Sequence, residues 1–232
     1  MPKTFLGKKL LFITAHPDDE SYAASGTIDA NNKAGGESYL ICATLGDRGK
    51  GHLLKPLTKS ELKKKRKKEL ESAAKFLKIK GLFILTFPDG GVMERKPAIY
   101  KKVIKIAEEI RPEYIISFGK DGGSGHLDHI AIGDVSAKIA KKLRVPFIAF
   151  TMSPKRANAF KKAPRVFIKR RRFGKYAKNI IHAKPNMKVK IDRKIKIKAV
   201  GFHKTQLGGK KPFSHFPKQL ANEWLSHEYY RA

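Results

Sequence analysis

The chain has 232 residues, 41% of them hydrophobic, which is enough for one large α/β domain with a real core and too apolar for wholesale disorder. Its single cysteine, Cys42, excludes a disulfide framework and a Cys-rich zinc site, so any metal must be held by histidines and carboxylates. The formal net charge is +31 and unevenly spread: residues 1–150 carry 28 Lys/Arg against 17 Asp/Glu, and residues 151–232 carry 23 against 3. Such a field draws phosphates, nucleic acid or acidic headgroups over long range and says nothing about fold.

The first apolar run, Leu10–Thr14 and the alanine after it, is too short for a signal sequence and reads as a strand. No stretch approaches the ~20 apolar residues of a spanning helix. The expectation is a cytoplasmic protein, with peripheral contact to an acidic membrane surface left open by the charge.

Strand and helix patterns then alternate. A helix is predicted over Glu20–Lys33, ending before Gly35-Gly36, and a second strand over Ser38–Thr44. Thr58-Lys-Ser-Glu61 is a capping box, opening a helix whose apolar positions Leu62, Leu70, Ala73, Ala74 and Leu77 recur at roughly helical spacing. Leu82–Phe87 reads as the third strand. Pro97 sits in the first turn of a helix running to Ile110. Glu113–Phe118 is the fourth strand, Leu127–Leu143 a helix and Pro146–Phe150 the fifth strand. Beyond 150 the pattern loosens. Lys155–Lys178 is dense in Lys and Arg with Phe and Tyr interleaved, Lys188–Ile191 reads as a strand, Asp192–Leu207 as a basic helix stopped by Gly208-Gly209, and Asn222–Tyr230 as a short final helix.

This alternation predicts a Rossmann-like three-layer α/β fold with a mainly parallel sheet, here a single domain with an α/β core over 8–150 and a basic C-terminal extension over 151–232. In such sheets sites form at the carboxyl ends of strands. Two clusters fall there. Ala15-His16-Pro17-Asp18-Asp19-Glu20 follows the first strand, and Gly125-His126-Leu127-Asp128-His129 follows the fourth. Each alone is open to a plainer reading, in which an aspartate caps the next helix and the histidines are solvated. Jointly they supply two histidines and a carboxylate for a metal, with an acid and a base left over.

The pattern Ala-His-Pro-Asp-Asp-Glu, with His-Leu-Asp-His about one hundred residues on, resembles the PIG-L/LmbE-like family of zinc-dependent de-N-acetylases. Thr44-Leu45-Gly46-Asp47, the Arg66–Glu69 helix segment, Pro88-Asp89-Gly90, Arg111-Pro112-Glu113 and Lys198–Gln206 resemble further motifs of that family, in its order. Asp47, Leu127 and Thr205 depart from the residues usual at those places. The resemblance implies one Zn²⁺ per chain on His16, Asp19 and His129, with Asp18 as general base and His126, as a protonated imidazole, the acid. It implies substrate contacts from Arg66, Asp89, Asp47 and His203, and a substrate of the N-acetylglucosamine-conjugate class; the positive charge favours an anionic one. Two alternatives stand beside it: an amidase on a related thiol conjugate using the same metal site, and a nucleic-acid-binding protein on this scaffold, motivated by the basic C-terminal half. Arg66, within Lys63–Lys68, is equally compatible with a solvated helix face, and His203 with Gln206 with a polar one.

Overall fold

A computed structural model describes residues 5–49, 56–162, 183–214 and 216–232. The basic, aromatic-rich stretch from 163 to 178, with Lys169–Arg172, lies outside them.

Strands β1 (Lys9–Thr14), β2 (Glu37–Thr44), β3 (Gly81–Phe87), β4 (Tyr114–Phe118) and β5 (Phe147–Thr151) pair in parallel. Among the described residues the sheet has seven strands in the order β3-β2-β1-β4-β5-β7-β6, with β6 (Met187–Lys190) and β7 (His227–Arg231) antiparallel to their neighbours. Four successive residues of β1, Leu10 to Ile13, are wholly buried. A strand covered on both faces needs helices above and below, which is the three-layer arrangement. The chain moves outward from β1 through β2 to β3, then returns to β4 on the other side. The order therefore reverses between β1 and β4, the place where a doubly wound sheet leaves a crevice at its carboxyl edge.

The helices among the described residues are α1 (Asp19–Ala23), α2 (Ser25–Lys33), α3 (Lys59–Phe76), α4 (Lys96–Ile110), α5 (Leu127–Leu143), α6 (Pro154–Lys162), α7 (Arg193–Gly201), α8 (Lys204–Leu207) and α9 (Lys218–Trp224). The Thr58/Glu61 capping box closes reciprocally, as the spacing predicts. Among the described residues no helix is long and apolar enough to cross a membrane.

Three expectations fail. The helix predicted over Glu20–Lys33 is broken at Ala24 (φ −139°, ψ −4°). The break gives α2 its own N-terminus, and the Glu228 carboxylate of β7 accepts from the Gly26 and Thr27 amides there (3.0 and 2.8 Å). The helix predicted over Asp192–Leu207 splits at His203 into α7 and α8. The helix predicted over Asn222–Tyr230 is instead the end of α9 followed by β7, because strand edges on both sides, β5 and β6, claim that backbone. Residues 151–232 are thus more than an extension: they supply the last two strands. Lys196 and Glu228, both wholly enclosed, pair at 2.6 Å between α7 and β7.

Candidate metal centre

The loop after β1 folds back on itself. Asp19 Oδ2 accepts from the amides of Ala15 (3.1 Å) and His16 (2.8 Å), which leaves Oδ1 facing outward. Asp18 sits at φ 115°, a left-handed conformation costing a non-glycine residue about 1–3 kcal/mol. It is held from both sides. Glu20 Oε2 accepts from the Asp18 amide (3.0 Å), and the Arg66 guanidinium from α3 grips the carbonyls of Pro17 and Gly46. Asp18 occupies the N-cap position of α1 yet makes no side-chain cap, so the plainer reading of this cluster fails.

The loop after β4 delivers the second cluster. His126 caps α5 through Nδ1, which accepts from the Asp128 amide (3.1 Å). His129 stacks flat on Phe118 (4.0 Å, 12°), and its Nδ1 lies 3.1 Å from the Gly122 carbonyl. Gly122 has φ +62°, and a Cβ there would lie 2.8 Å from the His129 Cβ, so glycine lets the imidazole seat. Asp128 does not cap. It is buried, accepts from the Gly90 and Val92 amides (2.6 and 3.2 Å), and faces His16 Nε2 at 3.1 Å.

These loops bring His16, Asp19 and His129 together, their ligating atoms all within 4.8 Å of one another. His16 Nδ1 lies 3.2 Å from His129 Nε2, which lies 3.2 Å from Asp19 Oδ1. The outer nitrogens decide what these atoms carry. His16 Nε2 faces two carboxylates, Asp128 at 3.1 Å and Asp89 at 3.3 Å, and must donate to them. His129 Nδ1 must donate to the Gly122 carbonyl. In the neutral tautomers so selected, both inner nitrogens present lone pairs, toward each other and toward a carboxylate oxygen. Once His16 gives up its second proton, three lone-pair donors converge, an arrangement that suits a cation, and two imidazoles with one carboxylate suit Zn²⁺. The electrostatics draw positive charge to this place, a proton on His16 or a metal ion. Burial alone would lower the His16 pKa, but the hydrogen bonds to Asp128 and Asp89 and the charge of Asp19 outweigh it and raise the value to about 10. The same surroundings hold Asp19 well below the usual carboxylate range: burial opposes this, and the charges of His129 and His16 overcome it. A second grouping, His16, His126 and Asp128, also lies within reach of one ion. It fits less well, since Asp128 is already taken by two amides and His16 Nε2 needs its proton for the carboxylates.

The other expected site residues fall around this cluster. Asp18 is partly enclosed, 3.4 Å from Arg66 Nη2. Burial is the main cause raising its pKa to about 6; the charge of Asp19 adds to this, and Arg66 opposes it. His126 leans edge-on against His16, their centroids 4.9 Å apart. Burial and the neighbouring His129 and His16 lower its pKa to about 4. It is a neutral imidazole whose Nδ1 is occupied as an acceptor, so the protonated ring expected from the sequence gives way to a neutral donor at Nε2. Arg66 is buried and reaches inward, which ends the reading of it as part of a solvated face. Asp89 touches His16 Nε2 and accepts from the Arg48 amide (2.8 Å). Burial works against ionisation of Asp89, but His16 and that amide keep it below the usual range. Asp47 accepts from the Asp89 amide (3.3 Å) and lies 3.5 Å from Lys63, one step further out. His203 is wholly buried against Glu20 and not on an open helix face. Sequence reasoning left out Asp128 and Glu20. The signal for Asp128 was its place between two histidines; for Glu20 there was none beyond its position beside Asp19.

Residues 11–140 match the GlcNAc-PI de-N-acetylase family, PIG-L, and make up more than half of the chain. The chain belongs to the PIG-L family. Among its PIG-L relatives, a probable N-acetyl-alpha-D-glucosaminyl L-malate deacetylase 2 of Bacillus anthracis is 35% identical over 133 residues, 56% of this chain and 58% of that one. A 1D-myo-inositol 2-acetamido-2-deoxy-alpha-D-glucopyranoside deacetylase of Corynebacterium diphtheriae is 25% identical over 173 residues, 66% of this chain and 59% of that one. The chain thus spans somewhat under two thirds of the length of these curated relatives. In fold it is similar to the N,N'-diacetylchitobiose deacetylase of Pyrococcus horikoshii, with a TM-score of 0.64 at 23% identity over 97% of this chain and 83% of that one.

Proposed function

We propose that this chain is a zinc-dependent N-deacetylase acting on an N-acetylglucosamine-type conjugate. The observation that carries the metal is the set of inward lone pairs on His16, His129 and Asp19, fixed by the outward hydrogen bonds of both imidazoles. Those three residues would hold the ion. When bound, Zn²⁺ supplies Lewis acidity that polarises an acetamide carbonyl and makes water more acidic.

The chain's own residues supply the proton traffic. Asp18, raised to about 6, is ionised at neutral pH yet basic enough to accept a proton from the attacking water. Arg66 lies beside its carboxylate, and Glu20 holds its backbone amide. His126 offers Nε2–H, which can stabilise the carbonyl oxygen as it gains charge or pass a proton to the departing nitrogen. Asp128 and Asp89 hold His16 Nε2 and so orient the ligand nitrogen.

The substrate class comes from the named activities of the relatives, which act on aminosugar conjugates of malate and inositol. The test is acetate release from N-acetylglucosaminyl malate, N-acetylglucosaminyl inositol and diacetylchitobiose, with a thiol-conjugate amide as a further arm and a chelator as control. Turnover of a sugar arm that the chelator abolishes supports the reading. Turnover of the thiol arm alone replaces it with the amidase. Inertness of the zinc-loaded protein on every arm refutes both.

A further inference from the structure

We infer that His203, brought in by the C-terminal half of the chain, is a positioning residue for Asp18: it anchors the Glu20 carboxylate, which holds the Asp18 amide and with it the left-handed turn that aims the base. The contacts run in one line. His203 Nε2 lies 2.7 Å from Glu20 Oε1, which also accepts from Ser21 Oγ (2.6 Å), and Glu20 Oε2 accepts from the Asp18 amide (3.0 Å). Glu20, Ser21 and His203 are all wholly buried. Although Glu20 adjoins Asp19, both its oxygens are spent on these partners.

Burial would push an isolated Glu20 toward its neutral acid; the charge of His203 and its hydrogen bond reverse this and keep the carboxylate below its usual range. His203 itself stands where α7 breaks into α8. The Thr205 amide and hydroxyl both donate to Glu69 of α3 (2.8 and 2.6 Å), fastening α8 there. The same α3 carries Arg66, which grips the Pro17 carbonyl. The Pro17–Asp18 turn is thus clamped at its carbonyl by α3 and at its amide by the His203–Glu20 pair. Only the word base rests on the deacetylase reading; the clamp itself is independent of it.

Two paired substitutions separate a hydrogen-bonded clamp from mere core packing. In E20Q/H203Q the side-chain oxygen at position 20 can still accept from the Asp18 amide, while the new NH₂ there donates to the side-chain oxygen at position 203. In E20L/H203L neither bond can form. For E20L/H203L we expect one zinc per chain and exchange at the Asp18 amide faster by about tenfold or more. Its kcat should fall about 10–100-fold with KM within about twofold. E20Q/H203Q should keep slow exchange and most of the parent kcat. Slow exchange and parental kcat in E20L/H203L overturn the inference, as does an equal defect in both pairs, or loss of zinc along with turnover. Should the leucine pair not fold, His203→Ala carries the test: faster exchange at Asp18 with zinc retained supports the clamp, and unchanged exchange overturns it. If exchange responds as expected but the parent releases no acetate on any arm, the deacetylase reading falls and the clamp stands.

Discussion

Replacing Asp18 by asparagine should make the protein more stable at neutral pH while destroying its activity. The Asp18 pKa is raised from 3.8 to about 6, which at about 1.4 kcal/mol per pH unit amounts to at most about 3 kcal/mol. The sign follows from linkage. A carboxyl whose pKa is raised by folding binds more protons in the native than in the unfolded state between about pH 4 and pH 6. Its contribution to stability is present below pH 4 and lost as pH rises through 6. The asparagine variant has no such loss. The value already includes the opposing attraction of Arg66, so removing that ion pair does not reverse the sign. The stability of Asp18→Asn minus that of the parent should therefore grow by up to about 3 kcal/mol between pH 4 and pH 7, about 5–10 °C in Tm for a chain of this size. The assay is urea unfolding of both proteins across that range in chelator, because a cation beside Asp18 lowers its pKa and shrinks the gap. Zinc-loaded Asp18→Asn should keep its metal and lose about 10²–10⁴-fold in kcat. A stability gap that does not move with pH would refute the assignment of a raised pKa to Asp18, and retained turnover would refute its role as base.

The metal ligands make a direct prediction: His16→Ala and His129→Ala should reduce bound zinc from one per chain to near none, read by metal analysis of protein purified without added metal. Asp128→Ala removes one of the two acceptors that orient His16, and a chelator competition should show zinc affinity reduced about 10–100-fold with the ligands intact. Because His16, raised to about 10, must lose a proton before it can bind a metal, zinc affinity should climb by about tenfold per pH unit between pH 6 and pH 8; a flat profile would show that His16 is not a ligand. Glu228→Leu strands the buried Lys196 ammonium, at a cost of about 3–5 kcal/mol and a Tm lower by roughly 10 °C, measured by thermal unfolding.

Much of the core was legible because its signals are short-range. The Thr58/Glu61 box set the start of α3, and the helix predicted over Leu127–Leu143 has the bounds of α5. Both chemistry-bearing clusters could be placed at strand ends from local pattern alone. What was misread lies where distant segments meet. Periodicity over Glu20–Lys33 has no means of showing that Glu228, some two hundred residues on, caps a second helix inside it. Asn222–Tyr230 has the composition of a helix end, and only the flanking edges of β5 and β6 draw half of it into a strand. Arg66 sits in a run of lysines, and its burial depends on the Pro17 and Gly46 carbonyls lying beneath α3.

The candidate site divides along the same line. The amino-acid sequence by itself determined which donors exist, that none could be a cysteine pair, and that they follow two parallel strands, since residue chemistry and strand period are written within a few neighbouring positions. Only the tertiary structure decided which nitrogen of each histidine points inward, that Asp128 orients His16 and does not cap α5, that His126 is a neutral donor, and that His203 stands behind Asp18. The His16 tautomer and the Glu20 carboxylate are set by Asp128 and His203, more than one hundred residues away in the chain, which touch them only once the sheet brings its strand ends together.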